Sequence, residues 1–288
     1  MDVALIGAGL MGRPMAERLK AAGHQMHVYN RTREKVMDLE NAGLHVADHP
    51  DTAIRAASCV ILMLADATAI GELLLTRPTR NHLAGRAVIQ MGTIGPRETK
   101  WLQQEILLEG AEYLEAPVLG SIAEARTGKL IVMVGASHEQ FVRWADLLRC
   151  FGPEPRLIGP VGQAAALKLA LNQLIAAEVA AFGLSVGFVE REGIPVETFM
   201  DILRESALYA PMFDNKLPRL LKRDYANPNF PTKHMLKDAE LFLKEAGADG
   251  LDTSSLSGVR TVLINAIERG MGQDDYSAVY NAINPPPA

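Results

Sequence analysis

The chain has 288 residues and a net charge of −5 at neutral pH, with 48% apolar and 22% charged residues. These values are ordinary for a soluble globular protein of one large domain or two smaller ones. The acidic balance offers no basic surface for nucleic acid or an anionic membrane. Cys59 and Cys150 lie in apolar runs without metal-ligand spacing, and no signal-like segment opens the chain. We therefore expect a cytoplasmic protein with buried free thiols and no bound metal.

A glycine-rich turn follows the first apolar run. Residues 3–7 are typical of a buried parallel strand, and the G-x-G-x-x-G pattern follows as Gly7-Ala8-Gly9-Leu10-Met11-Gly12. A helix over 14–22 and a second strand over 25–30 complete a strand–turn–helix–strand unit. In such units the first glycine permits the turn, the second admits a pyrophosphate, and the third lets helix and strand pack closely. The helix N-terminus attracts phosphate, so we predict a dinucleotide site.

The end of the second strand distinguishes two dinucleotides. NAD sites usually place an acidic residue here to hold the ribose hydroxyls, whereas this chain has Asn30, Arg31 and Thr32, with Lys35 close by. An acid would repel a 2′-phosphate, but the planar guanidinium of Arg31 can hold it through two N–H groups. An exposed basic loop is the structural alternative. We predict a preference for NADP(H) over NAD(H).

Short apolar runs then alternate with helical segments. The runs span 59–64, 87–91, 112–118, 129–134 and 155–158, and a helix spans 138–150. This alternation predicts a mainly parallel, doubly wound α/β sheet of Rossmann type. Ligands of such sheets bind at the carboxyl ends of the strands, where glycine and polar residues accumulate in this sequence.

The most apolar stretch is residues 162–192, which is rich in alanine and leucine and lacks proline. We predict one helix of roughly 40 Å, buried on every face. Lys168 and Asn172 are four residues apart and share one face of it. A buried ammonium needs a partner, unless Lys168 extends to solvent near the helix start.

We place a domain boundary near residues 159–160. Residues 1–160 form the predicted Rossmann domain, and 161–288 form an all-helical domain that begins with helix 162–192. The later predicted helices span 196–205, a segment ending near 223, 232–246, 255–269 and 274–283.

These motifs together resemble the β-hydroxyacid dehydrogenase family over almost the whole chain. Four patterns carry the resemblance: the G-x-G-x-M-G-x-x-M pattern at Gly7–Met15, the substrate loop at Glu115–Gly120 followed by Gly128–Leu130, the catalytic G-x-x-x-K-x-x-x-N pattern close to Gly162–Asn172, and the pair Lys237-Asp238. The run at 30–32 is similar to that of the NADPH-dependent glyoxylate and succinic semialdehyde reductases in the family.

The resemblance implies roles for these residues. Lys168 would donate a proton to a carbonyl oxygen as hydride leaves the nicotinamide, and Asn172 would hold the substrate or the lysine. Desolvation can draw the pKa of a buried lysine toward working pH. Further implied cofactor contacts are Leu64, Ala65, Asp66, Thr93 and Lys237. Further implied substrate contacts are Leu119, Gly120, Ser121, Phe230 and Asp238. The family also implies a homo-oligomer, either a dimer or a tetramer.

Two residues depart from the family pattern. Leu119 replaces a serine that helps to hold the substrate carboxylate, and Gly92 replaces a serine before Thr93. The N–H groups of Gly120 and Ser121 could still bind an anion. Arg126 could clamp a carboxylate, although an exposed arginine is the simpler interpretation.

The predicted activity is therefore NADPH-dependent reduction of a small aldehyde or keto acid, of the glyoxylate or succinic semialdehyde type, to the hydroxy acid. One alternative is an imine reductase acting on C=N bonds or uncharged carbonyls. Leu119 favours this alternative, whereas Lys168 opposes it because imine reductases usually carry Asp or Tyr there. The other alternative is a non-catalytic dinucleotide-binding module, which the presence of Lys168 also opposes.

Overall fold

The computed structural model describes residues 1–286. They group into two units, one from Met1 to Leu169 and one from Ala170 onward, so the division falls inside the long helix. The domain bounds 1–160 and 161–288 stay a prediction.

A single sheet of nine strands forms the centre of the first unit. The strands are β1 (Asp2–Ile6), β2 (Gln25–Tyr29), β3 (His45–Val46), β4 (Cys59–Leu62), β5 (Ala87–Gln90), β6 (Glu112–Glu115), β7 (Val118–Leu119), β8 (Ile131–Gly135) and β9 (Arg156–Gly159). Their order is β3-β2-β1-β4-β5-β6-β8-β7, with β9 also paired to β8. Strands β3 through β6 in this order are parallel, and β8 runs antiparallel to β6 and β7. The Rossmann-type prediction is confirmed.

Helices accompany the sheet along the chain. They are α1 (Gly12–Ala21), α2 (Pro50–Arg55), α3 (Ala67–Leu74), α4 (Arg77–Arg80), α5 (Pro96–Leu108), α6 (Ile122–Thr127) and α7 (His138–Arg149). Alternate residues of β1 enter two separate apolar clusters: Val3 and Leu5 lie in one, and Ala4 and Ile6 in the other. Both faces of the sheet are therefore covered, as parallel sheets require.

The apolar run 112–118 forms two strands rather than the single strand expected from its sequence. Strand β6 ends at Glu115 and β7 begins at Val118, with Ala116 and Pro117 between them. Proline has no N–H to donate to a strand ladder. The chain leaves its pairing with β5 at this point and continues as β7 beside β8.

The regular elements of the second unit are all helices within the residues that the structure describes, as predicted. Its helices are α8 (Gln163–Arg191, which starts in the first unit), α9 (Val196–Glu205), α10 (Pro211–Lys222), α11 (Thr232–Ala248), α12 (Ser254–Glu268) and α13 (Val279–Ile283). The segment expected to be helical from 274 first forms a short 3₁₀ turn. The Asp275 carboxylate caps this turn at Ser277 and pairs with Lys216, whose Nζ lies 2.8 Å from Oδ1.

Helix α8 is the long apolar helix that the sequence predicts, but it is not buried on every face. Leu184 and Phe188 are 63% and 62% exposed. By length and composition alone, this helix could cross a membrane. Core helices of proteins that never enter a membrane meet the same test.

Candidate active site

The turn after β1 has the shape that a dinucleotide pyrophosphate needs. Gly7 has φ +99°, and a Cβ on it would lie 2.4 Å from the Met63 carbonyl oxygen. A Cβ on Gly12 would lie 2.0 Å from the Gly7 carbonyl oxygen, so α1 can start this close to the turn only with glycine. A Cβ on Gly9, in contrast, would have no described residue within 4 Å other than Gly9 and its two chain neighbours. Open space beside the second glycine of such a turn is what a bound pyrophosphate requires.

The other residues of this turn leave the helix start accessible. Ala8 is buried, Leu10 is exposed and Met11 is half-buried. No side chain within residues 1–286 caps α1 at Met11. Arg13 N already donates to the Gly9 carbonyl oxygen over 3.0 Å, and Pro14 has no N–H. The N–H groups that precede Arg13 are therefore the ones suited to an anionic ligand.

The loop after β2 presents an exposed arginine. Asn30 Nδ2 donates to the Thr32 carbonyl oxygen over 2.7 Å and closes the turn. Arg31 and Lys35 are exposed, and Arg31 makes no hydrogen bond or ion pair with the described part of the chain. Arg33, in contrast, is paired with the carboxylates of Glu40 and Asp48. Arg31 is thus the arginine of this loop whose guanidinium can donate to a phosphate.

Two further turns lie at the same edge of the sheet, because β4 and β5 are parallel neighbours. Leu64, Ala65 and Asp66 follow β4, and Thr93 follows β5. The Asp66 carboxylate accepts from Ala69 N over 2.8 Å and caps α3. The ribose contact that the family resemblance implies for Asp66 or its backbone stays a prediction.

Gln90 holds the second of these turns and was missed from the sequence. Its Oε1 accepts from Gly92 N over 2.6 Å, and its Nε2 donates to the Gly92 carbonyl oxygen over 3.0 Å. A Cβ on Gly92 would lie 2.5 Å from the Leu64 carbonyl oxygen. This close approach explains why glycine, rather than the family's serine, precedes Thr93. The signal available in the sequence was a polar residue at the end of an apolar run.

The predicted substrate loop, Glu115–Gly120, contains β7 and leads into α6. Leu119 is half-buried and Gly120 has φ +135°, while Arg126 is exposed on α6. Ser121 N donates to Glu124 Oε2 over 2.8 Å, and Ser121 Oγ donates to the same oxygen. Hydrogen bonds from Ser121 lower the pKa of Glu124 below its ordinary value.

The Ser121 N–H, expected as an anion donor, therefore already serves an ionised carboxylate. The S-x-x-E capping box at 121–124 is readable from sequence, yet it was missed.

Lys168 lies in the second turn of α8 and is 8% exposed, so its side chain does not extend into solvent. Asn172, one turn further along the helix, is also buried. In the second unit, Asn172 Nδ2 donates to Asp238 Oδ2 over 2.6 Å, and Lys237 Nζ lies 2.8 Å from Asp238 Oδ1. The structure thus brings Asn172, Lys237 and Asp238 together around one buried carboxylate.

Phe230 packs against another aromatic ring of the second unit. Its ring meets Tyr276 edge-on, with 5.9 Å between the ring centroids. It belongs to the apolar cluster of the second unit. The structure therefore gives Phe230 a packing role, and its contact with substrate stays a prediction.

Comparisons with known proteins address the whole chain. Residues 2–159 match the family described as the NAD-binding domain of 6-phosphogluconate dehydrogenase, and 162–283 match that described as NAD-binding in NADP-dependent 3-hydroxyisobutyrate dehydrogenase. Glyoxylate/succinic semialdehyde reductase 1 of Arabidopsis thaliana is 28% identical over 98% of each chain. The 2-hydroxy-3-oxopropionate reductase of Escherichia coli is 29% identical over 98% of this chain and 97% of its own. The structure of 3-hydroxyisobutyrate dehydrogenase from Salmonella typhimurium matches with a TM-score of 0.87 at 22% identity, over 97% and 98% of the two chains.

Proposed function

Because the chain belongs to the β-hydroxyacid dehydrogenase family and is an NAD(P)-dependent oxidoreductase, we propose that it reduces a small aldehyde or keto acid with NADPH. The substrate would be of the glyoxylate or succinic semialdehyde type, and the product would be the hydroxy acid. The observation that carries the proposal is the buried ammonium of Lys168 on α8, one turn before Asn172.

The residues of the chain divide the chemistry between them. NADPH, when bound, supplies the hydride. Lys168 Nζ would give its proton to the carbonyl oxygen as negative charge develops there, and would take it back in the oxidative direction. The Asn172 amide, held by Asp238 at 2.6 Å, would hydrogen-bond the substrate in a fixed orientation.

The open side of the Gly7–Gly12 turn would receive the pyrophosphate. Leu64, Ala65 and Thr93 would lie along the ribose and nicotinamide, and Lys237 on the nicotinamide side. These assignments extend the family's roles to the matching positions of this chain.

The proposed preference for NADPH rests on Arg31, and substitution of Arg31 gives the first test. Arg31→Ala should raise the Kd of NADPH by roughly 10- to 100-fold, since a charge-assisted hydrogen bond contributes about 1.5–3 kcal/mol. The Kd of NADH should change by less than about twofold, because NADH has no 2′-phosphate and so makes no such contact with Arg31. Arg33→Ala is the matched control, because Arg33 is already paired with Glu40 and Asp48. Equal weakening of both cofactors by Arg31→Ala would assign Arg31 a structural role.

Two residues of the substrate loop favour a second candidate, reduction of uncharged carbonyls or C=N bonds. Leu119 lacks the hydroxyl that would hold a substrate carboxylate. The Ser121 N–H already donates to the ionised carboxylate of Glu124. Like charge at this loop would oppose an anionic substrate.

Substrate class is tested by NADPH oxidation with glyoxylate, succinic semialdehyde, methylglyoxal and a cyclic imine. We expect the two carboxylate-bearing aldehydes to be turned over best, and Leu119→Ser to raise their kcat/KM by roughly tenfold, the worth of one good hydrogen bond. Turnover of methylglyoxal should not gain from this substitution. If only the uncharged carbonyl or the imine is reduced, the second candidate replaces the first.

We also propose a cytoplasmic homo-oligomer. The free thiols of Cys59 and Cys150 support a reducing compartment. The exposed Leu184 and Phe188 of α8 form an apolar surface of the kind that obligate subunit interfaces bury. Sedimentation at the mass of a single chain would exclude the oligomer.

A further inference from the structure

Glu115 ends strand β6 as a fully buried carboxylate, with 1% of its surface exposed. Its Oε1 accepts three backbone hydrogen bonds from the start of α8: from Gly162 N at 2.8 Å, Ala164 N at 3.0 Å and Ala165 N at 3.2 Å. The first N–H groups of a helix have no partner within the helix. A side chain from the sheet therefore satisfies the entry of the helix that carries Lys168.

The carboxylate is confined on its other side by strand β8. Glu115 pairs with Gly135 across the sheet, and a Cβ on Gly135 would lie 2.3 Å from Glu115 Oε1. The φ of Gly135 is not positive, so the glycine is needed for space rather than for backbone conformation. The close approach of Gly135 leaves Glu115 Oε1 little freedom to move away from the three amides.

Two of the anchored amides lie one helical turn before Lys168. Ala164 and Ala165 precede Lys168 by four and three residues, which places them one turn away, roughly 5 Å along the axis. A rotation or shift of this first turn therefore carries the Lys168 side chain with it. Misplacement of a reacting group by about 1 Å can lower a rate by about 100-fold.

We propose that Glu115 is a positioning residue for Lys168: its carboxylate fixes the first turn of α8 and thereby the location of the Lys168 ammonium. This inference rests on the proposed function, in which Lys168 transfers the proton. Burial raises the pKa of Glu115, and the three amide hydrogen bonds, together with one from the Thr99 side chain, oppose that rise. Oε1 can accept from the amides whether or not the other oxygen carries a proton, so the anchoring does not depend on charge.

Three substitutions and one control test the positioning role. Glu115→Ala removes the acceptor, Gly135→Ala displaces it, and Glu115→Gln keeps an oxygen in its place. Leu114→Val is the control, because Leu114 directly precedes Glu115 on β6 but enters the apolar cluster on the opposite face of the sheet.

Glu115→Ala and Gly135→Ala should lower kcat by about 10- to 100-fold, with the Kd of NADPH and the KM of the aldehyde within about threefold of the wild type. Glu115→Gln should recover most of kcat. Leu114→Val should leave kcat unchanged even where it lowers Tm. A fall in kcat that follows Tm across all four variants, or no recovery in Glu115→Gln, would overturn the proposal.

Two further measurements separate this inference from the proposed function. In a Lys168→Ala background, Glu115→Ala should lower the residual rate no further, because Glu115 acts through the lysine. Hydrogen exchange at the amides of Gly162, Ala164 and Ala165 should become faster in Glu115→Ala whatever the chemistry of Lys168. Full turnover by Lys168→Ala would contradict the role proposed for the lysine, whereas unchanged exchange at these amides would contradict the anchoring itself.

Discussion

Replacing Lys168 with alanine should abolish aldehyde reduction while leaving NADPH binding nearly intact. The substitution removes the group that we propose protonates the carbonyl oxygen, and such proton transfer contributes roughly 10²- to 10⁴-fold to a rate. The lysine is 8% exposed, so the cavity left behind will also lower Tm somewhat. Single-turnover rates with succinic semialdehyde and calorimetric titration with NADPH measure the two quantities separately.

Leu167→Ala is the control for this substitution. Leu167 precedes Lys168 on the same turn of α8 and is partly exposed, so its truncation perturbs the helix without removing the proton donor. We expect close to wild-type turnover from it. If Lys168→Ala weakens NADPH binding as much as it lowers turnover, Lys168 is not the general acid.

Replacing Gly9 with alanine should weaken both NADPH and NADH without destabilising the fold. The space beside Gly9 is open, with no described residue other than Gly9 and its two chain neighbours within 4 Å of an added Cβ, and its φ is not in the left-handed region. An added methyl group would occupy the place of the pyrophosphate. Loss of two phosphate hydrogen bonds of about 1.5 kcal/mol each raises Kd by roughly 100-fold.

Gly12→Ala provides the contrast. A Cβ on Gly12 would meet the Gly7 carbonyl oxygen at 2.0 Å, so this substitution must shift α1 and lower Tm. Thermal unfolding and cofactor titration on both variants distinguish the two glycines. An unchanged NADPH affinity in Gly9→Ala would mean that the pyrophosphate does not lie over this turn.

The fold was predictable because its strongest signals are local. Apolar runs such as 59–64 are buried on both faces and alternate with helical segments, so their pattern indicates a parallel sheet without knowledge of the partner strands. The division of run 112–118 at Pro117 was less clear. It depends on where the chain leaves its pairing with β5, and that is set by the whole sheet.

The glycine turn was equally clear from sequence, because its spacing directly after an apolar run is a local pattern. The structure shows that Gly12 is needed for space beside Gly7 in the same turn, whereas Gly7 is needed for space beside Met63 after β4. Contacts between distant segments were not predictable. Glu115 and the amides of α8 are 47 to 50 residues apart, and nothing in the composition of either segment indicates that they meet.

The exposed face of α8 shows a different limit. Apolar composition predicts that a helix will be buried, but it does not specify whether the same chain or a second copy of it buries each face. Leu184 and Phe188 therefore fit the sequence pattern of a core helix while lying on the surface of the single chain.

The most direct test of the proposed function uses NADPH deuterated at both positions of the nicotinamide C4, with succinic semialdehyde as substrate. Mass spectrometry of the product from the wild-type enzyme should show 4-hydroxybutyrate that carries one deuterium, and Lys168→Ala should form almost none. Full turnover by Lys168→Ala would contradict the role of the lysine. Failure of the wild type to form the labelled hydroxy acid from either succinic semialdehyde or glyoxylate would contradict the proposed function.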